Sequence, residues 1–162
     1  MSTDANFSLE SPSFAPLNPI PSRFTCEGED IAPYLMWHGY PQSVRSFALI
    51  VDDPDAPDPA NPKRTHTHAV LFNIPSDCHE LPEGFDPLPE GATFGNNDWN
   101  NPAYGGPCPP VGTHRYFFKL YALKDPLDLK PGATKAEVEA AMHGKVLAHA
   151  ELVGFYEKQG AA

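Results

Sequence analysis

From Ser46 the chain reads SFALIV, an apolar and β-prone run that stops at Val51 where DDPDAPDP begins. The change predicts a buried strand feeding a turn, because Asp and Pro both favour turns and neither suits a strand interior. A second run, HAVLFNI from His68 to Ile74, ends at Pro75, and a third, HRYFFKLYAL from His114 to Leu123, alternates over part of its length. Both read as central strands. Each opens at a histidine, so in one sheet His68 and His114 would meet at a common edge.

Between these runs lie PSDCHELPEGFDPLPEG and FGNNDWNNPAYGGPCPPVG, dense in Gly, Pro and Asn and therefore expected as long loops. One helix is predicted over TKAEVEAAMHG. Thr134 and Glu137 match a capping box, Gly144 can end it, and Val138, Ala141 and Met142 form its apolar face. Beyond Gly144, the alternation around ELVGFYE favours a strand over a continued helix.

Composition supports the same picture. The 162 residues contain 20 prolines and 12 glycines, so rigid connections are many and a mainly β domain is favoured over a helical bundle. The length suits a single domain over residues 1–162. A formal charge of −10 argues against nucleic-acid binding, which needs Lys and Arg to displace counterions. No apolar run approaches the ~20 residues of a membrane span, and MSTDANFSLESPSF lacks the marks of a signal peptide, so a cytoplasmic location without integral membrane association is expected. Cys26, Cys78 and Cys108 are too few and too scattered for a disulfide framework and read as inert thiols.

Asp53, Asp55, His66, His68, His114, Arg115 and Tyr116 cluster at or beside strand ends, and three chemistries compete for them. His66 and His68 share one strand face and, with His114 and Asp53, would form a metal shell, although Phe72 and Asn73 stand where a downstream carboxylate ligand is expected. A hydrolase would use His68 or His114 as a base oriented by Asp53. It lacks an evident nucleophile: there is no GxSxG, and Cys108 sits in a proline-rich loop. In a binding pocket, the imidazoles and the Tyr116 hydroxyl would donate to a phosphate or carboxylate. Asp53 would repel such an anion unless it accepted from His68 or His114, or met the cationic group of a zwitterion.

DPDAP at Asp53–Pro57 and GTHRY at Gly112–Tyr116 resemble the two signature segments of the phosphatidylethanolamine-binding protein family. FTCEGEDIAPYLMW, SFALIVDDPDAP, HAVLFNIP, YGGPCPPVGTHRYFFKLYAL and AEVEAAMHGKVLAHAELVGFY extend the similarity to its bacterial and archaeal, Raf kinase inhibitor-like branch. The resemblance implies a mainly β fold, with a large central antiparallel sheet packed with a smaller sheet and a few peripheral helices. It also implies an anion pocket at one end of the main sheet, lined by Asp53, Asp55, His68, His114 and Tyr116, with Cys108, Pro109 and Pro110 at its rim. The expected role is non-enzymatic, with no cofactor, metal or catalytic residue: binding of phosphate or a phosphoethanolamine-like head group, inhibition of a kinase or peptidase, and a homodimeric state. The alternative is a metal-dependent or His/Asp hydrolase built on the same residues.

Some readings are local. Arg115 should point away from its two neighbours on a strand. Pro54 and Pro57 should turn Asp53 toward the pocket, with an X-Pro bond there suited to the cis form. Asp52 and Asp58 read as solvated, and Asp55 either bonds turn amides or touches ligand. His66 replaces an aromatic that many relatives carry two residues before the pocket histidine, so a more polar wall is expected.

Overall fold

Alternation along the longest strands sets two faces, and the fold covers both. The computed structural model describes residues 6–159. In chain order the elements are β1 (Ser8–Glu10), β2 (Leu35–His38), β3 (Ser46–Ala56), β4 (Arg64–Pro75), β5 (Glu80–Leu81), β6 (Thr93–Phe94), β7 (His114–Leu123), α1 (Lys135–Met142) and β8 (Val146–Tyr156). Short 3₁₀ turns lie at Ser22–Phe24 and Glu83–Phe85. The strands form two antiparallel sheets, one of five in the order β6-β4-β3-β7-β8 and one of three in the order β1-β2-β5. The fold is therefore mainly β, a large sheet packed with a smaller one.

On β3, Phe47, Leu49 and Val51 face the small sheet and join a core with Leu9, Leu35 and Trp37. The Trp37 and Phe47 rings meet edge to face at 5.4 Å, joining the two sheets. Ala48 and Ile50 face the other way, into a second core closed by Val138 and Met142 of α1. The helix has the expected cap: the Glu137 N–H donates to Thr134 Oγ1 at 3.1 Å, and the Thr134 N–H donates to the Glu137 carboxylate at 2.9 Å. The segment after Gly144 is a strand, paired with β7 from His114↔Tyr156 to Leu123↔Val146.

Three expectations need correction. β3 does not stop at Val51; it continues to Ala56 through register shifts against β4 between Val51 and Asp52 and between Asp53 and Ala56. Bulges of this kind let a strand carry residues that a regular ladder would reject. Asp52 is not solvated but 1% exposed, held by Lys119 Nζ at 3.1 Å and Lys135 Nζ at 3.0 Å. Cys26 and Cys108 are not free thiols; they form a disulfide across 82 residues of sequence. Cys78 remains free and partly buried, and burial raises its thiol pKa. Among the described residues no helix is long and apolar enough to cross a membrane.

Candidate ligand-binding site

The bulged end of β3 and the first residues of β4 and β7 converge at one end of the large sheet around a cavity of ≈ 150 Å³. An apolar cavity of ~150 Å³ holds one benzene-sized molecule, which sets the scale of a ligand head group. Asp53, His68, His114 and Tyr116 line it. Trp99 and the Cys108–Pro110 loop close its sides.

His114 and Asp53 form its buried polar pair. His114 Nδ1 lies 2.6 Å from Asp53 Oδ2, and Nε2 lies 2.9 Å from the Val111 carbonyl, so both ring nitrogens meet oxygens. The pair is almost wholly buried, so either partner alone would be a buried polar group without its match. Asp53 Oδ1 also accepts the Asp55 N–H at 2.7 Å, which ties the carboxylate to its own bulge. The peptide bond between Ala56 and Pro57 is cis, and Pro57 reaches the cavity wall.

His68 behaves differently. Its Nδ1 donates to the Gly105 carbonyl at 2.8 Å, and the Gly105 N–H donates back to the His68 carbonyl at 2.9 Å, so β4 and the rim loop hold each other. Burial pushes the imidazole pKa down to about 4. At neutral pH the ring is uncharged, with Nδ1 as its donor and Nε2 as an acceptor. Tyr116 packs edge to face on His68 at 5.2 Å. Its hydroxyl lies beside Asp53 with no hydrogen bond of good geometry, and burial, followed by the Asp53 charge, pushes its pKa up.

Trp99, which the sequence reading passed over, supplies the aromatic wall. Its ring meets His66 at 4.4 Å and His68 at 5.0 Å, edge to face, while 44% of the residue stays exposed. Asn97 fixes the loop by accepting the N–H groups of Trp99 and Asn101 at 2.9 and 3.1 Å. Gly105 makes room for the ring, since a Cβ there would sit 2.4 Å from a Trp99 carbon. The wall is therefore not simply more polar: an aromatic from a distant loop covers the histidine at position 66. His66 is half-buried with a lowered pKa caused first by desolvation, and its Nε2 is buried without a partner.

Asp55 does not line the cavity. The register shift after Asp53 turns it to the opposite face, where its carboxylate takes Arg115 Nε at 3.0 Å, Nη2 at 2.9 Å and the Arg115 N–H at 2.9 Å. The guanidinium hydrogen bond is the main reason the Asp55 pKa is lowered. Cys108, Pro109 and Pro110 do lie at the rim, Cys108 as half of the disulfide. Ala56, Arg64 and Trp99 were missed, and Pro57, expected only to turn Asp53, itself reaches the wall. The one signal for Trp99 was a lone indole in an Asn-rich loop. Among the described residues, no group of three or more His, Cys, Asp and Glu side chains is arranged to hold a metal ion.

A small cavity at the end of a two-sheet β fold, polar within and walled by Trp and Pro, is the kind of concave place where small ligands bind. A family model described as phosphatidylethanolamine-binding protein matches residues 10–157, and the chain belongs to that family. It is 49% identical over 153 residues to a UPF0098 protein of Methanothermobacter thermautotrophicus, a match that covers 93% of this chain and 98% of that one. Among solved structures, it resembles a phosphatidylethanolamine-binding protein homolog of Chlamydia trachomatis, with TM-score 0.88, 35% identity and coverage of 96% and 100% of the two chains. It also resembles Escherichia coli YbcL, described as a member of the mammalian family, with TM-score 0.87, 31% identity and the same coverages.

Proposed function

We propose that the protein is a non-enzymatic regulatory binding protein whose cavity takes a phosphate group, either as free phosphate or on a small anionic or zwitterionic head group. The observation that carries this reading is the Tyr116 hydroxyl, buried at the cavity beside the Asp53 carboxylate but with no hydrogen bond of good geometry. A buried hydroxyl left unsatisfied costs ~1–3 kcal/mol, and a ligand oxygen would remove that cost. The Asp53 carboxylate is already engaged by His114 and by the Asp55 N–H, so an anion entering the cavity does not meet an unpartnered carboxylate. His68 Nε2 then accepts from a P–OH or an ammonium group, which favours hydrogen phosphate or phosphoethanolamine over a fully ionised anion. His114 supports the site through Asp53 and Val111 instead of donating to the ligand.

Inhibition of a kinase or peptidase would use the same mouth, with Trp99 as its exposed apolar contact. Homodimerisation belongs to this proposal and is checked by light scattering. The decisive experiment titrates phosphate and phosphoethanolamine into the wild type and Tyr116→Phe while following the His68 ring by NMR. Tyr116→Phe should bind about tenfold more weakly yet leave the free protein as stable or more stable, because it removes an unsatisfied group. Equal affinity in the two proteins refutes the assignment.

A further inference from the structure

The Cys26–Cys108 disulfide lies between two openings. Cys108 lines the ligand cavity, and both cysteines line a wider groove of ≈ 460 Å³ bordered by Asp30, Trp99 and Tyr104. Cys26 is exposed and Cys108 half-buried, so the bridge is open to a thiol from the groove side. At this point the disulfide is the covalent tie between the rim loop and the Thr25–Gly28 turn. Pro107, Pro109 and Pro110 have no N–H with which to anchor the loop. The nearest backbone ties come earlier: the Cys26 N–H to the Pro107 carbonyl at 3.1 Å, and the Gly106 N–H to Asp30 Oδ1 at 2.8 Å.

We propose that this bridge is a thiol–disulfide exchange site, opened by a dithiol reductant, and that opening it loosens the cavity rim and weakens ligand binding. The binding half of the proposal rests on the phosphate reading above. A thiolate of the reductant attacks Cys26 Sγ, the S–S bond breaks, and Cys108 leaves as a thiolate that takes up a proton. The reductant's second thiol then displaces Cys26, leaving two protein thiols and an oxidised reductant. With the tie gone, Cys108, Pro109 and Pro110 must be ordered at the moment of binding, and that ordering opposes association. Ligand and bridge are then coupled in both directions: the ligand-bound protein resists reduction.

The test compares oxidised protein with protein reduced by dithiothreitol, both carrying Cys78→Ser so that Cys26 and Cys108 are the thiols counted. Amide exchange at residues 105–112 and the His68 ring are recorded without ligand, and inorganic phosphate is then titrated into each form. The expected results are two thiols released from folded protein, faster local exchange, and affinity about fivefold weaker or more, the low end of ordinary coupling. Unchanged exchange and affinity overturn the proposal. So does a bridge that opens only with global unfolding, which would make it a structural staple. If the oxidised protein binds no phosphate but the rim still loosens on reduction, the phosphate reading falls and the exchange site stands.

Discussion

Asp52 and Asp53 are chain neighbours on β3, and they point to opposite faces of the same sheet. On the helix side, the Asp52 carboxylate is matched by two lysines, and Asp55 is matched by a bidentate arginine and a backbone N–H. On the cavity side, Asp53 is matched by His114, but the Tyr116 hydroxyl beside it makes no hydrogen bond of good geometry and His66 Nε2 stays unpaired. The two faces carry similar charges and are organised toward different ends. On one face the carboxylates are matched by cations, which serves stability; on the other, buried polar capacity is left beside the carboxylate, which is where a ligand is expected.

The largest effect that sharpens this contrast should come from Asp52→Ala. Removing a buried partner leaves two lysines, only about a quarter exposed, facing each other without a counter-charge. Breaking a buried ion pair costs ~3–5 kcal/mol, and the partial exposure of the lysines places this case near about 3 kcal/mol. The denaturant midpoint should fall, with phosphate affinity unaltered in the protein that remains folded. A loss of affinity comparable to that of Tyr116→Phe would mean that the faces are coupled and would break the comparison.

Acid should act on the cavity face. The His68 pKa is about 4 in the folded protein, against an ordinary imidazole value of ~6.5 in the unfolded chain. Between those values the unfolded state binds the extra proton, so the contribution of neutral His68 is complete above pH ~6.5 and is lost as pH falls toward 4. A depression of this size corresponds to about 3 kcal/mol, read as a falling midpoint in urea melts across that window. His68→Asn keeps a donor in the place of Nδ1 but does not titrate, and should flatten that part of the pH profile. An unchanged profile would show that His68 is not the group responsible.

What could be read in advance depended on how local its cause was. The start of β7 at His114, the capped helix and the strand after Gly144 follow from periodicity and capping within a few residues. The extension of β3 through DDPDA was hidden because acids and prolines signal a turn, whereas bulges against β4 accommodate them. The small sheet is built from strands of two to four residues, too short to carry a period, and came only from the family resemblance. The disulfide joins positions 82 residues apart, a distance at which spacing holds no information. At the site, His68, His114, Tyr116, Pro109 and Asp53 come together at the cavity. Trp99 and the turning away of Asp55 depend on loop packing and on a register shift, neither of which alternation encodes.

Asp55 offers the smallest effect and a sharp discrimination. The family resemblance placed it in the pocket with Asp53, and the bulge between them turns it away. The Arg115 side chain is 57% exposed, so the ion pair belongs to the surface class whose contribution is ~0–1 kcal/mol. Asp55→Asn keeps an oxygen able to accept the Arg115 N–H, so its cost should stay under about 1 kcal/mol, measured as a small shift in the denaturant midpoint. Phosphate affinity should not change, because the side chain is absent from the cavity wall. If Asp55→Asn instead weakened binding as much as Tyr116→Phe, Asp55 would have to reach the ligand, the bulge would have to rearrange on binding, and the helix-side face could no longer be treated as closed.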